Sequence, residues 1–325
     1  MAIFEPLGLT RRTLLTGAAA LLATGTAGIT VRPARAQSAD VPRIRAAAAG
    51  WTGRNGELLV LTADAATGAD YALRILEAGG SGTAAELGPP LPLPLPGAFH
   101  PHSMSALGPV LWITGATETA SDQARPALVR IENGTSAYAA LPIPDEIRSG
   151  IATAITPLGP DGLAVAIEGC SDPHLAVIAH SHLATSADRG RTWTGRPLAT
   201  GLGEGYGTVM AETDRGFFAA IADGTGAQAI HFGTIANPAL SGAASPSVPV
   251  TTLSGVGRPM AAVAGAAHVS VFSDHDGTVT ETRFTTEGTP LESSRTCDCR
   301  GEILAVPGRR GLWLEIDGST VHIRE

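Results

Sequence analysis

Lysine is missing from this chain: all 22 of its basic Lys+Arg positions are arginine. That excludes Schiff-base chemistry, which needs a titratable amine, and the phosphate-binding P-loop, whose lysine reaches the terminal phosphates. Aromatic residues make up only 4% against 44% apolar residues in total, so any core packs mainly through Ala, Val, Leu and Ile. Past residue 36, asparagine occurs only at Asn55, Asn133 and Asn237. Helical periodicity is absent there as well, because Gly or Pro interrupts every i, i+3, i+4, i+7 run. No apolar stretch approaches the ~20 residues that span a bilayer. A cationic excess is also lacking, with a formal charge of −8, which argues against nucleic-acid backbones and anionic membrane surfaces as partners.

What is present begins with an address. Arg11-Arg12 forms a twin-arginine pattern, followed by the apolar run Gly17–Ala23 and a small-residue cleavage site at Ala34-Arg35-Ala36. The signature predicts a signal peptide over residues 1–36, export by the twin-arginine route, and a periplasmic or secreted protein without stable membrane insertion. The segment holds four arginines against one glutamate, so its removal takes the formal charge from −8 to −11. Residues 37–325 then read as one large all-β domain.

A strand-turn-strand pattern recurs six times in that domain, at roughly 45–55-residue intervals, a length that marks propeller blades when only strands are present. The second strands read Glu57–Thr62, Pro109–Thr114, Gly162–Ile167, Gly216–Ile221, His268–Ser273 and Gly311–Ile316. Third strands follow at Tyr71–Leu76, Ala127–Ile131, His174–Ala179, Gln228–Phe232, Val279–Phe284 and Thr320–Arg324. Asn55-Gly56, Asn133-Gly134, Asp276-Gly277 and Asp317-Gly318 supply tight hairpin turns, because Asn, Asp and Gly tolerate positive φ. The Pro89–Pro96 stretch lacks ladder donors and reads as an outer edge or inter-blade connector. The expected fold is a six-bladed β-propeller, or seven-bladed if a long connector hides another unit. The last unit lacks a fourth strand, and Ser38–Arg45 is expected to supply it and close the ring.

Ser186, Asp188, Gly190, Thr192 and Trp193 fit the pattern Ser-x-Asp-x-Gly-x-Thr-Trp at every defined position. Here the chain resembles the Asp-box propellers, the neuraminidase-repeat family found in sialidases. The resemblance implies a folding device in the turn between third and fourth strands, on the face opposite the usual active-site mouth. The arginine triad, Arg-Ile-Pro element and Tyr/Glu pair of sialidases find no match, and Arg258-Pro259 departs from the second of these. A second, seven-residue likeness joins Phe99–Ser105 to a Phe-Asn-Pro-His-Gly-Ile-Ser stretch of paraoxonase-type lactonases. Three asparagines cannot build the Asn-rich calcium cage of that family.

A propeller gathers the loops before first strands and after second strands at one mouth, and loops carry function. Arg148, Glu204, Tyr206, Arg258 and Arg300 fall there as ligand-binding candidates, with Glu118, Glu168, Cys170, Asp172 and Asp274 on the second-to-third loops. Strand alternation places His100 and His102 on one face. With Cys297 and Cys299 they are the candidate ligands of a divalent metal, copper or zinc, with calcium a weaker fit. Cys297-Asp-Cys299 equally suits a local disulfide or a bridge to Cys170. Two functions remain open. One is an exported propeller binding a small molecule, glycan or periplasmic protein at its mouth, as an accessory to another enzyme. The other is a metal-dependent oxidoreductase, or a lactonase- or glycosidase-like hydrolase or lyase, using His100/His102 with nearby carboxylates or cysteines.

Overall fold

The computed structural model describes residues 42–49, 57–64, 68, 70–77, 84–119, 123–175, 177–234, 249–292, 294–299 and 301–325. The twin-arginine segment, its cleavage site, Asn55-Gly56 and Arg300 lie outside the described residues.

Six antiparallel sheets follow one another along the chain. The first blade holds β1 (Arg43–Ala49), β2 (Leu58–Ala63), β3 (Ala72–Glu77) and β4 (Glu86–Leu87). The second holds β5 (Phe99–Leu107), β6 (Val110–Glu118), β7 (Ala124–Glu132) and β8 (Thr135–Ala139). The third holds β9 (Ser149–Leu158), β10 (Gly162–Cys170), β11 (His180–Ser186) and β12 (Thr194–Thr200). The fourth holds β13 (Tyr206–Thr213), β14 (Gly216–Ala222), β15 (Gln228–Thr234) and β16 (Thr251–Leu253). The fifth holds β17 (Arg258–Ala264), β18 (His268–His275), β19 (Thr278–Thr285) and β20 (Arg295–Thr296). The sixth holds β21 (Glu302–Ala305), β22 (Trp313–Asp317) and β23 (Thr320–Arg324). The molecule is therefore a six-bladed β-propeller, all-β, with no helix among the described residues.

The middle strands read as continuous apolar runs because each blade is sandwiched between two others. In β2, Leu58 and Val60 pack toward the sixth blade while Leu59 and Leu61 pack toward the second. Burying one such leucine contributes about 1.5–3 kcal/mol. The apolar core is consequently six inter-blade layers, one at every seam, including that between the last blade and the first.

Ring closure differs from expectation. Arg43–Arg45 open β1, the innermost strand of the first blade, instead of adding a fourth strand to the sixth; residues 38–41 lie outside the described region. Val306, Leu312, Leu314 and Val321 pack on Ile44, Ala47 and Val60 to close the circle. Ala85 then donates its N–H to the Val321 carbonyl at 2.8 Å, touching the outer edge of β23.

The third blade also corrects a boundary. His174–Ala179 do not form its third strand, which starts at His180. Asp172 Oδ1 accepts the His174 N–H at 2.8 Å and the Cys170 thiol donates to the Asp172 carbonyl at 3.3 Å. Those bonds hold the chain in an Asx turn, a conformation that competes with a ladder.

Candidate functional site

Five of the six innermost strands skip register near their starts. In β1 the shift leaves out Arg45, in β5 His102 and in β9 Thr153. In β13 Gly207 and Thr208 share one partner position, and in β17 Met260 is left over. A bulge frees its extra residue from the ladder and re-aims it. Repeated around a propeller, bulges line one end of the central channel with residues that alternation would have sent between blades.

Electrostatic neighbours place that cluster on the axis. His102, from the second blade, feels both Arg45 of the first and Arg258 of the fifth, and its Nδ1 lies 2.8 Å from the Thr153 carbonyl of the third. Glu302, from the sixth, feels Arg45, Arg258 and Arg43. Only the axis brings five blades together in this way. The Arg258 guanidinium also sits 5.9 Å over the Tyr206 ring of the fourth blade, a cation–π arrangement that spreads the charge without neutralising it.

The chemistry follows from the donors. A carbonyl only accepts, so His102 Nδ1 carries its proton and Nε2 keeps a lone pair. His102 and Glu302 have open surface on the channel, yet both are enclosed by the surrounding blades. Enclosure by protein lowers the His102 pKa; the Thr153 bond opposes this, and Arg258 and Arg45 reinforce it. Enclosure raises the Glu302 carboxyl, with Arg45, Arg258 and Arg43 pulling it back. The centre thus offers three arginines, one carboxyl and a neutral imidazole base, a cationic heart in an acidic protein.

The sequence candidates scatter around this centre. Arg258, Tyr206 and His102 belong to it. Arg148 is exposed on a side cleft of about 400 Å³, shared with Gln123, Arg125, Ile143, Asp145 and Pro173. Glu204 is exposed on the loop before β13. Glu168 is fully buried in the channel wall instead of standing on a loop. Asp274 accepts the Gly277 N–H at 2.8 Å in a hairpin tip where the Asp276 side chain is 94% exposed, a solvated turn and no cation cage.

The structure does not bring the four metal candidates together. The β5 bulge removes the alternation that would have paired the imidazoles: His100 Nε2 faces Glu118 Oε1 at 3.3 Å, while His102 turns to Thr153. Cys297 and Cys299 are joined to each other in a disulfide with Cα atoms 5.0 Å apart, which consumes both thiolates, and Cys170 is a buried free thiol. Among the described residues no three His, Cys, Asp or Glu side chains converge to hold a metal ion. Arg43, Arg45 and Glu302 are the residues sequence reasoning missed. The alternation in Arg43-Ile44-Arg45, with the isoleucine in a core layer, was the available signal.

On the other face, Asp188 organises the turn between β11 and β12. Its Oδ1 accepts from Thr192 N and Ser186 Oγ, each at 2.8 Å, and its Oδ2 from Thr192 Oγ1 at 2.7 Å. The bonds from Thr192 lead in holding the carboxyl down at about 2. Trp193 donates to the Gly190 carbonyl at 3.1 Å and meets Trp112 of the second blade edge-on at 6.3 Å. The turn is a structural clasp between blades.

No family model matches the chain, and no curated protein matches it in sequence. Solved structures do match in shape. An aldose sugar dehydrogenase from Escherichia coli in its apo-form superposes with a TM-score of 0.55 at 12% identity, covering 88% of this chain and 96% of the other. A glucose dehydrogenase-like oxidoreductase from Thermus thermophilus gives 0.53 at 13%, covering 89% and 97%. The PQQ-bound aldose sugar dehydrogenase of Streptomyces coelicolor gives 0.51 at 12%, covering 89% and 95%. At such identities the likeness establishes the propeller fold and nothing about activity.

Proposed function

We propose that this chain is an exported propeller that binds a small carboxylate-bearing molecule at the axial mouth of its channel. The supporting observation is the bulge-built centre in which Arg45 and Arg258 converge with Tyr206, Glu302 and a neutral His102. Guanidinium groups recognise carboxylates through paired N–H donors, and an enclosed site strengthens that attraction. Glu302 sets a limit, since a ligand must either accept a hydrogen bond from its protonated form or tolerate its charge. Export is carried by the twin-arginine signature alone.

The fold neighbours give a narrower version of this reading. Pyrroloquinoline quinone, bound in one of them, is a tricarboxylate and so falls within the class these donors suit. Arg45 and Arg258 would hold its carboxylates, and the bound quinone would supply two-electron oxidation. His102 Nε2 would serve as the proton acceptor on the channel side, the role a neutral, hydrogen-bonded imidazole fills.

Isothermal titration with citrate and with pyrroloquinoline quinone tests the proposal. Saturable binding that weakens at least about 10-fold in Arg45→Ala and in Arg258→Ala is expected, the ordinary cost of losing a charged hydrogen bond. Binding that is absent, or equal in the Arg45→Ala/Arg258→Ala double variant, would remove the basis for this reading.

A further inference from the structure

One buried ionisable group lies directly behind the centre without touching it. Glu168 is 0% exposed in β10, walled in by β9, β11 and β13. Its Oε1 accepts the Thr208 N–H at 2.9 Å and also the Thr208 hydroxyl. Thr208 in turn lies 3.2 Å from the Ser181 hydroxyl of β11. Thr208 belongs to the β13 bulge, so its N–H is displaced from the ladder and needs a partner. Thr153, the residue left over by the β9 bulge, stands beside the same carboxyl, and neither its Oγ1 nor Glu168 Oε2 has a hydrogen-bond partner. It turns its carbonyl the other way, onto His102 Nδ1. Gly207 lies against both groups: a Cβ there would stand 3.4 Å from Thr153 Cγ2 and 3.5 Å from Glu168 Oε2, which places the two side chains next to each other.

We infer that Glu168 is a positioning residue for His102. Its carboxyl fastens the bulges of β9 and β13 from behind, and so fixes the Thr153 carbonyl that selects the imidazole tautomer. The inference rests on the reading above, in that His102 is the proton acceptor of the same site. Burial raises the Glu168 pKa, and the bonds from Thr208 lead in opposing the rise. A neutral carboxyl is the form suited to this place: Oε1 accepts from Thr208, and a proton on Oε2 would let it donate to the unpartnered Thr153 hydroxyl. An ionised carboxylate would leave a buried charge whose nearest partners are hydroxyls and one amide.

Nitrogen-15 NMR of histidine-labelled, ligand-free protein tests this, with the His102 signals assigned by their loss in His102→Gln. The parent is expected to show His102 as a single Nδ1–H tautomer. Glu168→Gln should preserve it, because an amide offers the same acceptor and donor. Glu168→Leu should shift the ring nitrogens to values averaged over two tautomers. Thr153→Val, which removes the hydroxyl but keeps shape and carbonyl, should do the same, and it decides the question if Glu168→Leu yields no folded protein. A His102 spectrum unchanged in the folded Leu or Val variant would overturn the inference. So would a Gln variant as disturbed as the Leu variant. No ligand enters the experiment, so its failure leaves carboxylate binding standing, and failed titrations leave this result standing.

Discussion

Acid should unfold this propeller partly through His231. That side chain, in β15, is 2% exposed, in the seam where the Arg196 guanidinium of β12 sits 5.9 Å over the Phe217 ring. Burial first, and Arg196 second, depress its pKa from 6.5 to about 4. The sign follows from linkage. Below pH 6.5 the unfolded chain takes up a proton that the native site refuses until pH 4, so this group withdraws stability as pH falls through that window. At 1.36 kcal/mol per unit of pKa difference, the loss reaches about 3 kcal/mol by pH 4. That is a large share of the 5–15 kcal/mol by which domains are usually stable. Urea unfolding of the parent and of His231→Leu, measured from pH 7.5 to pH 4, isolates the effect, because other titrating groups are common to both. The difference between their unfolding free energies should move by about 3 kcal/mol in favour of the leucine variant over this range. A difference that stays constant with pH would refute the assignment of a depressed pKa to His231.

Further outcomes follow from other parts of the fold. Gly190 has φ +72° and a Cβ there would strike the Trp112 ring, so Gly190→Ala should lower stability by about 1–3 kcal/mol, read from its denaturation midpoint. Leu314 is fully buried in the layer joining the sixth blade to the first. Its replacement by alanine should cost about 2–5 kcal/mol, with protease cleavage appearing first near the chain ends. Glu302→Gln removes the one carboxyl at the axial centre and should tighten citrate binding several-fold by titration calorimetry, more at low salt than at high. Glu168→Gln should be more stable than the parent at pH 8, because a carboxyl with a raised folded pKa gives up stability as pH climbs through that value.

The blades were legible because their middle strands are buried on both faces. Leu58–Leu61 and Gly162–Ile167 show that burial as unbroken apolar runs, and the spacing between such runs fixed the architecture. The turn at residues 186–193 was legible for a different reason: the bonds that Asp188 and Ser186 accept come from within residues 186–192, so the local sequence contains its organising part. The axial centre was not. A bulge is a mismatch between two strands, and nothing in His100-Pro-His102 says that β5 has one more residue than β6 at that point. Arg45 was obscured by a wrong strand assignment, since Ser38–Arg45 was expected to complete the sixth blade and in fact Arg43–Arg45 open the first. Glu168 was placed at the mouth correctly along the chain but on the wrong side of the wall. The bulges beside it belong to β9 and β13, distant along the chain.

The unequal standing of the six seams has a mechanical consequence. At five of them a connecting peptide tethers the two blades, so a transient gap recloses at the high effective concentration a short linker imposes. Where the last blade meets the first, the described residues are joined by side-chain packing and the Ala85–Val321 bond, with no linking peptide among them. Pulling, heating or proteolysis should therefore unzip the circle from that one joint, and a covalent link placed across it would stiffen the whole ring.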